Sequence, residues 1–150
     1  MIRCIEVLLA IPDNEAWTAL ATLQRLGVEV GGIERGDLYR CEVEAADAER
    51  LVETLRGIES IFNPNKHVLR VREDAGPGPG EVWIDERGTG TTAQRGAVRI
   101  AGRTLAGVRA LERFTAWRLF AAPNRPAGPE VTQAATETLL CNPAFQEAIV

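Results

Sequence analysis

The spacing of apolar and polar positions changes period several times along this chain, and each change marks an expected element. Residues 2–9 form a nearly continuous apolar run broken only by Arg3 and Glu6, which predicts a strand covered on both faces. After Pro12 and Asp13, residues Ala16, Ala19, Leu20, Leu23 and Leu26 recur at helical spacing until Gly27. That pattern predicts a helix of about four turns. Two extended stretches, 28–35 and 38–44, flank Gly36-Asp37, a pair suited to a tight turn, and predict an antiparallel hairpin. Asp47 is placed to cap a second helix striped by Leu51, Val52, Leu55 and Ile58, and alternation over 67–72 predicts a closing strand.

The second half is expected to repeat this order. Glu73 to Gly80, with the run Ala75-Gly76-Pro77-Gly78-Pro79-Gly80, is too rich in Gly and Pro for regular structure and reads as a linker. Beyond it the pattern predicts a strand over 81–85, a helix from about 91 to 105, hairpin strands near 108–113 and 116–121, a helix from Glu130 and a short strand within 144–150. The expected division is therefore a first lobe over 1–74, a linker over 75–80 and a second lobe over 81–150. Each lobe has the order strand, helix, strand, strand, helix, strand, the ferredoxin-like split arrangement with helices on one sheet face. The expected fold is α+β: two such lobes with antiparallel sheets packed together, a pseudo-dimer in one chain.

Direct matches between the halves support the duplication. Asn63-Pro64 and Asn142-Pro143 lie 79 residues apart. Ile33-Glu34-Arg35 and Leu111-Glu112-Arg113 lie 78 apart, as do Tyr39-Arg40 and Trp117-Arg118. The period is too long for a solenoid unit and suits two compact lobes of roughly 70 residues, each small enough to need the other or a partner.

Composition narrows the class. A hydrophobic fraction of 45% with 25% charged residues is that of a globular protein with a sizeable core. The net charge of −4 argues against a nucleic-acid surface, which rests on surplus Lys and Arg. No apolar run reaches the length of a membrane span, and the amino-terminal one ends at Pro12 without a cleavage pattern, so a cytoplasmic location is expected. Cys4, Cys41 and Cys141 form neither an even disulfide set nor a close metal-ligand pair and read as packing residues, and His67 has no second histidine with which to share a metal. No catalytic residue, metal ligand or cofactor is expected: the chain has no Ser-His-acid pattern, phosphate-binding glycine loop followed by Lys-Ser/Thr, or metal-ligand spacing.

Taken in order, several short motifs resemble the PurS small-subunit family of phosphoribosylformylglycinamidine synthase, here as a tandem duplication. In the second half they are Glu81-Val82-Trp83-Ile84, Gln94-Arg95-Gly96-Ala97-Val98, Val108-Arg109-Ala110-Leu111-Glu112-Arg113 and Leu139-Leu140-Cys141-Asn142-Pro143. In the first they are Ile5-Glu6-Val7, Val30-Gly31-Gly32-Ile33-Glu34-Arg35-Gly36 and Ile61-Phe62-Asn63-Pro64. The resemblance implies the family's dimer written in one chain, and a non-catalytic subunit of de novo purine biosynthesis that bridges the synthase and glutaminase subunits. It also leaves room for a further homodimer. The chain departs from the family at the entrance to the first helix, where it has Pro12-Asp13-Asn14-Glu15 and, in the second half, only Gln94 and Gly96 of the family pattern. Phe114 stands where the first half has Gly36, and 122–129 is an extra Pro-rich loop.

Four residues stand out as a partner interface: Arg35, Tyr39, Arg113 and Trp117, the aromatics at matching hairpin positions and the arginines because guanidinium groups favour interfaces. Core burial of the aromatics and solvation of the arginines are the alternative readings. Residues 86–92, ahead of an expected helix capped by Thr91 or Thr92, read either as an anion cradle or as a plain turn. The strand and helix order also fits a tandem amino-acid-sensing module of the ACT kind, although Ala10-Ile11-Pro12-Asp13 lacks the glycine expected in its first loop.

Overall fold

The computed structural model describes residues 1–86 and 93–150. In chain order the elements are β1 (Ile2–Leu9), α1 (Asn14–Arg25), β2 (Gly32–Val43), α2 (Ala48–Arg56), β3 (His67–Arg72), β4 (Glu81–Glu86) and β5 (Ala93–Arg95). They continue with β6 (Arg99–Ile100), β7 (Arg103–Thr104), β8 (Val108–Ala122), β9 (Arg125–Pro126), α3 (Pro129–Ala135) and β10 (Gln146–Ile149). The protein is α+β, with antiparallel strand pairing and three α-helices among the described residues.

Cα proximity groups the chain into two compact units. The first holds Met1–Ile11, Asp37–Ala75 and the described part of Thr89–Phe114; the second holds Pro12–Gly36, the described part of Gly76–Gly88, and Thr115–Val150. The break thus falls inside β2, after Gly36, and inside β8, after Phe114. Sequence repeats and compact units are different divisions of this chain: each unit draws segments from both sides of the Gly/Pro run at 75–80.

In the first unit the strand order is β3-β1-β2-β8, with β5 also pairing with β8. Its core gathers Ile5 and Val7 from β1, Tyr39, Cys41 and Val43 from β2, Leu51 and Leu55 from α2, and Val108 and Leu111 from β8. In the second unit the order is β2-β8-β4-β10, with β9 against β8. Ala16, Ala19 and Leu23 of α1 bury there with Val82, Ile84, Trp117, Leu119, Ala135 and Leu140.

Helix α1 forms where the apolar spacing predicted it. The Asp13 carboxylate accepts from the backbone N–H of Glu15 and Ala16, both at 3.1 Å, satisfying donors that the first turn leaves open. Gly27 ends the helix at φ +88°, a conformation costly for other residues. Helix α2 follows a 3-10 turn over Ala45–Asp47, and the Asp47 side chain makes no capping hydrogen bond, contrary to its expected role.

Three expectations are corrected. Gly36-Asp37 makes no hairpin, and β2 runs through it as one strand; Gly36 is buried and takes no positive φ. The expected hairpin over 108–121 is likewise one strand, β8, with Phe114 2% exposed at its middle. Turn chemistry is a local preference, and here long-range pairing overrides it. Nor does a helix cover 93–105: strand β5 and the β6-β7 hairpin stand there, and Gly96, Ala101 and Gly102 all take positive φ, which a helix does not allow. Thr91 and Thr92, the expected caps, and most of the proposed anion cradle lie outside the described residues. Past Pro129, α3 continues as a π-helical turn over Thr136–Leu140.

The Gly/Pro run closes on a fixed geometry. Gly80, at φ +72°, donates nothing through a side chain but offers its carbonyl to Leu119 N–H at 2.8 Å, and an added Cβ would stand 2.6 Å from the Leu119 carbonyl oxygen. Glycine is therefore required at that position.

Candidate functional site

The four candidate interface residues come together in two pairs, and the pairing is reciprocal. In the second unit the Arg35 guanidinium lies 5.8 Å from the Trp117 ring centroid. In the first unit the Arg113 guanidinium lies 5.9 Å from the Tyr39 ring. Both are cation–π distances. Arg35 and Arg113 are repeat equivalents, as are Tyr39 and Trp117, so each arginine covers the aromatic contributed by the other half of the sequence.

The same exchange recurs in ion pairs. Arg40 donates to Glu112 Oε1 from Nε at 3.0 Å and from Nη2 at 2.9 Å within the first unit. Arg118 Nη2 meets Glu34 Oε1 at 2.9 Å within the second. Arg40 and Arg118 are equivalent, and so are Glu34 and Glu112. These carboxylates stand at 41% and 44% side-chain exposure, so each pair contributes a modest amount, of order 0.5–1 kcal/mol.

Both aromatics are buried in their own unit's core, Tyr39 at 5% and Trp117 at 9% exposure. Arg35 is further held by Asp13 at 3.1 Å and by Glu15, while Arg113, half exposed, reaches Asp37 at 3.5 Å. The chain's exposed tryptophan is Trp17 on α1, at 75%, and Trp83 is fully buried.

The Asn-Pro marks prove to be matching structural clasps. Asn63 Oδ1 accepts from Asn65 N–H at 2.9 Å, and Asn142 Oδ1 accepts from Ala144 N–H at 3.0 Å, each a side-chain-closed turn. Four residues on, His67 Nδ1 accepts from Asn63 N–H at 2.9 Å and Gln146 Oε1 accepts from Asn142 N–H at 2.7 Å. His67 thus does the work of a glutamine, holding its imidazole with Nδ1 unprotonated and so able to accept.

Two buried carboxylates escaped the sequence reading, although each interrupts or opens an apolar strand. Glu6 is fully buried and is met by Arg70 at 2.5 Å and Arg72 at 3.9 Å. Glu81, 3% exposed, accepts from Trp83 Nε1 at 2.7 Å, Gly78 N–H at 3.2 Å and Arg118 Nη1 at 3.1 Å. Buried charge is tolerated when it is paired and hydrogen-bonded in this way. Arg118 therefore serves two acids, Glu34 and Glu81.

Burial pushes the Cys41 thiol up to about 12, with nearby Cys4 adding to the shift, and raises Cys4 as well. Neither is a ready thiolate nucleophile at neutral pH. Burial also raises the Tyr39 phenol, with Arg113 pulling in the opposite direction. Among the described residues no group of three or more His, Cys, Asp or Glu side chains is arranged to hold a metal ion, and no helix is long and apolar enough to cross a membrane.

The second unit also carries a cleft of about 450 Å³, walled by Pro79, Ala127, Pro129, Ala148 and the threonines of α3 and its π-helical turn. Its polar side chains are occupied internally: Thr132 Oγ1 donates to the Gly128 carbonyl and Thr136 Oγ1 to the Thr132 carbonyl. No protein-family model matches the chain, and no curated protein matches it significantly.

Proposed function

We propose that this chain is a non-catalytic accessory subunit, a fused pair of PurS-like lobes that bridges the synthase and glutaminase subunits of a cytoplasmic phosphoribosylformylglycinamidine synthase. The observation that carries the reading is the reciprocal pairing of Arg35 with Trp117 and Arg113 with Tyr39. In a two-fold dimer, residue i of one copy meets j of the other while j meets i. The same relation inside one chain is what a dimer becomes when its two copies are joined. The strand orders β3-β1-β2-β8 and β10-β4-β8-β2 fit two ferredoxin-like lobes that have exchanged a segment.

The buried acids support a structural role, since Glu6 and Glu81 are each held by arginine and are not presented to a substrate. A bridge acts on catalysis by holding two active sites in register, so that ammonia released at one reaches the other at high local concentration. The test mixes purified synthase and glutaminase with and without this chain. Product formation from glutamine is expected to depend on it, while formation from ammonia is not; no effect on either rate, with no complex on a sizing column, would overturn the proposal. The apolar cleft of the second unit favours one other reading, an ACT-like sensor of amino acids. Stabilisation of the isolated chain by an amino acid, without any effect on the synthase, would select it.

A further inference from the structure

The first unit carries a cavity of a different character from the cleft of the second. It is an open pocket of about 300 Å³ lined by Tyr39, Ser60, Gln94, Arg99 and Arg113, with Ile61, Ile100 and Leu111 among its apolar walls. Two guanidinium groups and, among the described residues, no carboxylate line it. The segment that supplies one wall is strongly basic in an acidic chain: Arg95, Arg99, Arg103, Arg109 and Arg113 stand against Glu112 alone over 93–113, whereas the whole protein has a net charge of −4.

The wall is built rather than loose. Gln94 clamps the β5-to-β6 turn from both sides, donating from Nε2 to the Arg99 carbonyl and accepting at Oε1 from Arg99 N–H, each at 3.0 Å. Arg99 Nη2 is oriented by the Gly102 carbonyl at 3.1 Å. Arg113 lies against the Tyr39 ring and reaches Asp37 at 3.5 Å, a contact that engages only part of its five-donor fork. The hydroxyls of Tyr39 and Ser60 have no hydrogen-bond partner among the described residues, and the raised phenol keeps its proton at neutral pH and remains a donor.

We infer that this cavity binds a small molecule through an oxyanion, phosphate or carboxylate, held by Arg99 and Arg113 with hydroxyl donors from Tyr39 and Ser60. Arginine forks match oxyanion geometry, and Ile61, Ile100 and Leu111 give a bound molecule an apolar wall to lie against. The volume, at the lower end for small-molecule sites, suits a compact ligand. This inference is independent of the bridging proposal, because it concerns the isolated chain.

Isothermal titration of the full chain, at ionic strength held constant with sodium chloride, tests it directly. The probes are inorganic phosphate, glycerol 3-phosphate and acetate. Saturable binding of at least one is expected below about 20 mM, weakened roughly tenfold by Arg99→Gln or Arg113→Gln and a few-fold by Tyr39→Phe. A phosphate preference identifies a phosphorylated ligand, and an acetate preference a carboxylic acid. Unfolding melts of each variant separate lost binding from lost fold, and Arg25→Gln, in the second unit, is expected to leave binding unchanged. Absence of saturable binding for all three probes, or binding indifferent to both arginine variants, would overturn the inference.

Discussion

The two compact units use the same strand plan and cover it differently. Each has a strand from the start of a sequence half at the second position of its sheet, an edge strand closed by an Asn-anchored clasp, and one stretch each of β2 and β8. Above that plan the second unit lays α1 and α3, whereas the first has α2 and, in place of another helix, β5 and the β6-β7 hairpin. The repeat therefore fixes pairing and clasp geometry, which depend on backbone hydrogen bonds and a few polar side chains. It does not fix the covering layer, where any apolar face of the right size suffices. The basic cavity of the first unit and the apolar cleft of the second are results of that freedom.

The two units should respond most unequally at their buried aromatics. Trp117→Asp places an unpaired carboxylate and a large void in the second unit's core, and an urea titration is expected to show a loss above about 4 kcal/mol. Tyr39→Phe in the first unit keeps the ring beneath Arg113 and is expected to cost no more than about 1 kcal/mol.

The equivalent arginines should differ in the same assay. Arg118→Ala is expected to cost about 3 kcal/mol because it removes an arginine that pairs with the buried Glu81 carboxylate. Arg40→Ala, whose partner Glu112 is 41% exposed, should cost about 1 kcal/mol. Equal losses would mean that Glu81 is supported without Arg118.

Alkaline pH separates the units through Cys41, which lies in the first. A thiol raised from about 9 to about 12 keeps its proton in the folded state while the unfolded chain releases it. Its contribution is fully present below pH about 9 and is lost as pH rises through about 12. The urea midpoint should fall over that window, by an amount equivalent to about 3 kcal/mol near pH 11, and Cys41→Ala should flatten the fall. The smallest effect is expected at the clasps: His67→Gln copies the glutamine of the other half and should stay within about 0.5 kcal/mol of the parent, whereas His67→Ala should lose about 1 kcal/mol.

Much of this plan was legible in the sequence where a local signal carried it. Asp13 and Gly27 bound α1, the apolar run of β1 pairs on both sides, and the two Asn-Pro marks end in the same clasp. The long strands were not legible, because Gly36-Asp37 looks like a turn until a partner strand is known. The missing helix over 93–105 had a sequence signal, since Gly96 and Gly102 interrupt it. The matches at an offset of 78 identified Arg35, Tyr39, Arg113 and Trp117 as equivalents. Which arginine meets which aromatic is set only by tertiary pairing.

That exchange is the centre of the account, and nuclear Overhauser contacts between arginine side-chain methylenes and aromatic ring protons test it directly. Contacts of Arg35 with Trp117 and of Arg113 with Tyr39 are predicted. Contacts of Arg35 with Tyr39 and of Arg113 with Trp117 instead would place each pair within its own sequence half, and would contradict the fused-dimer reading.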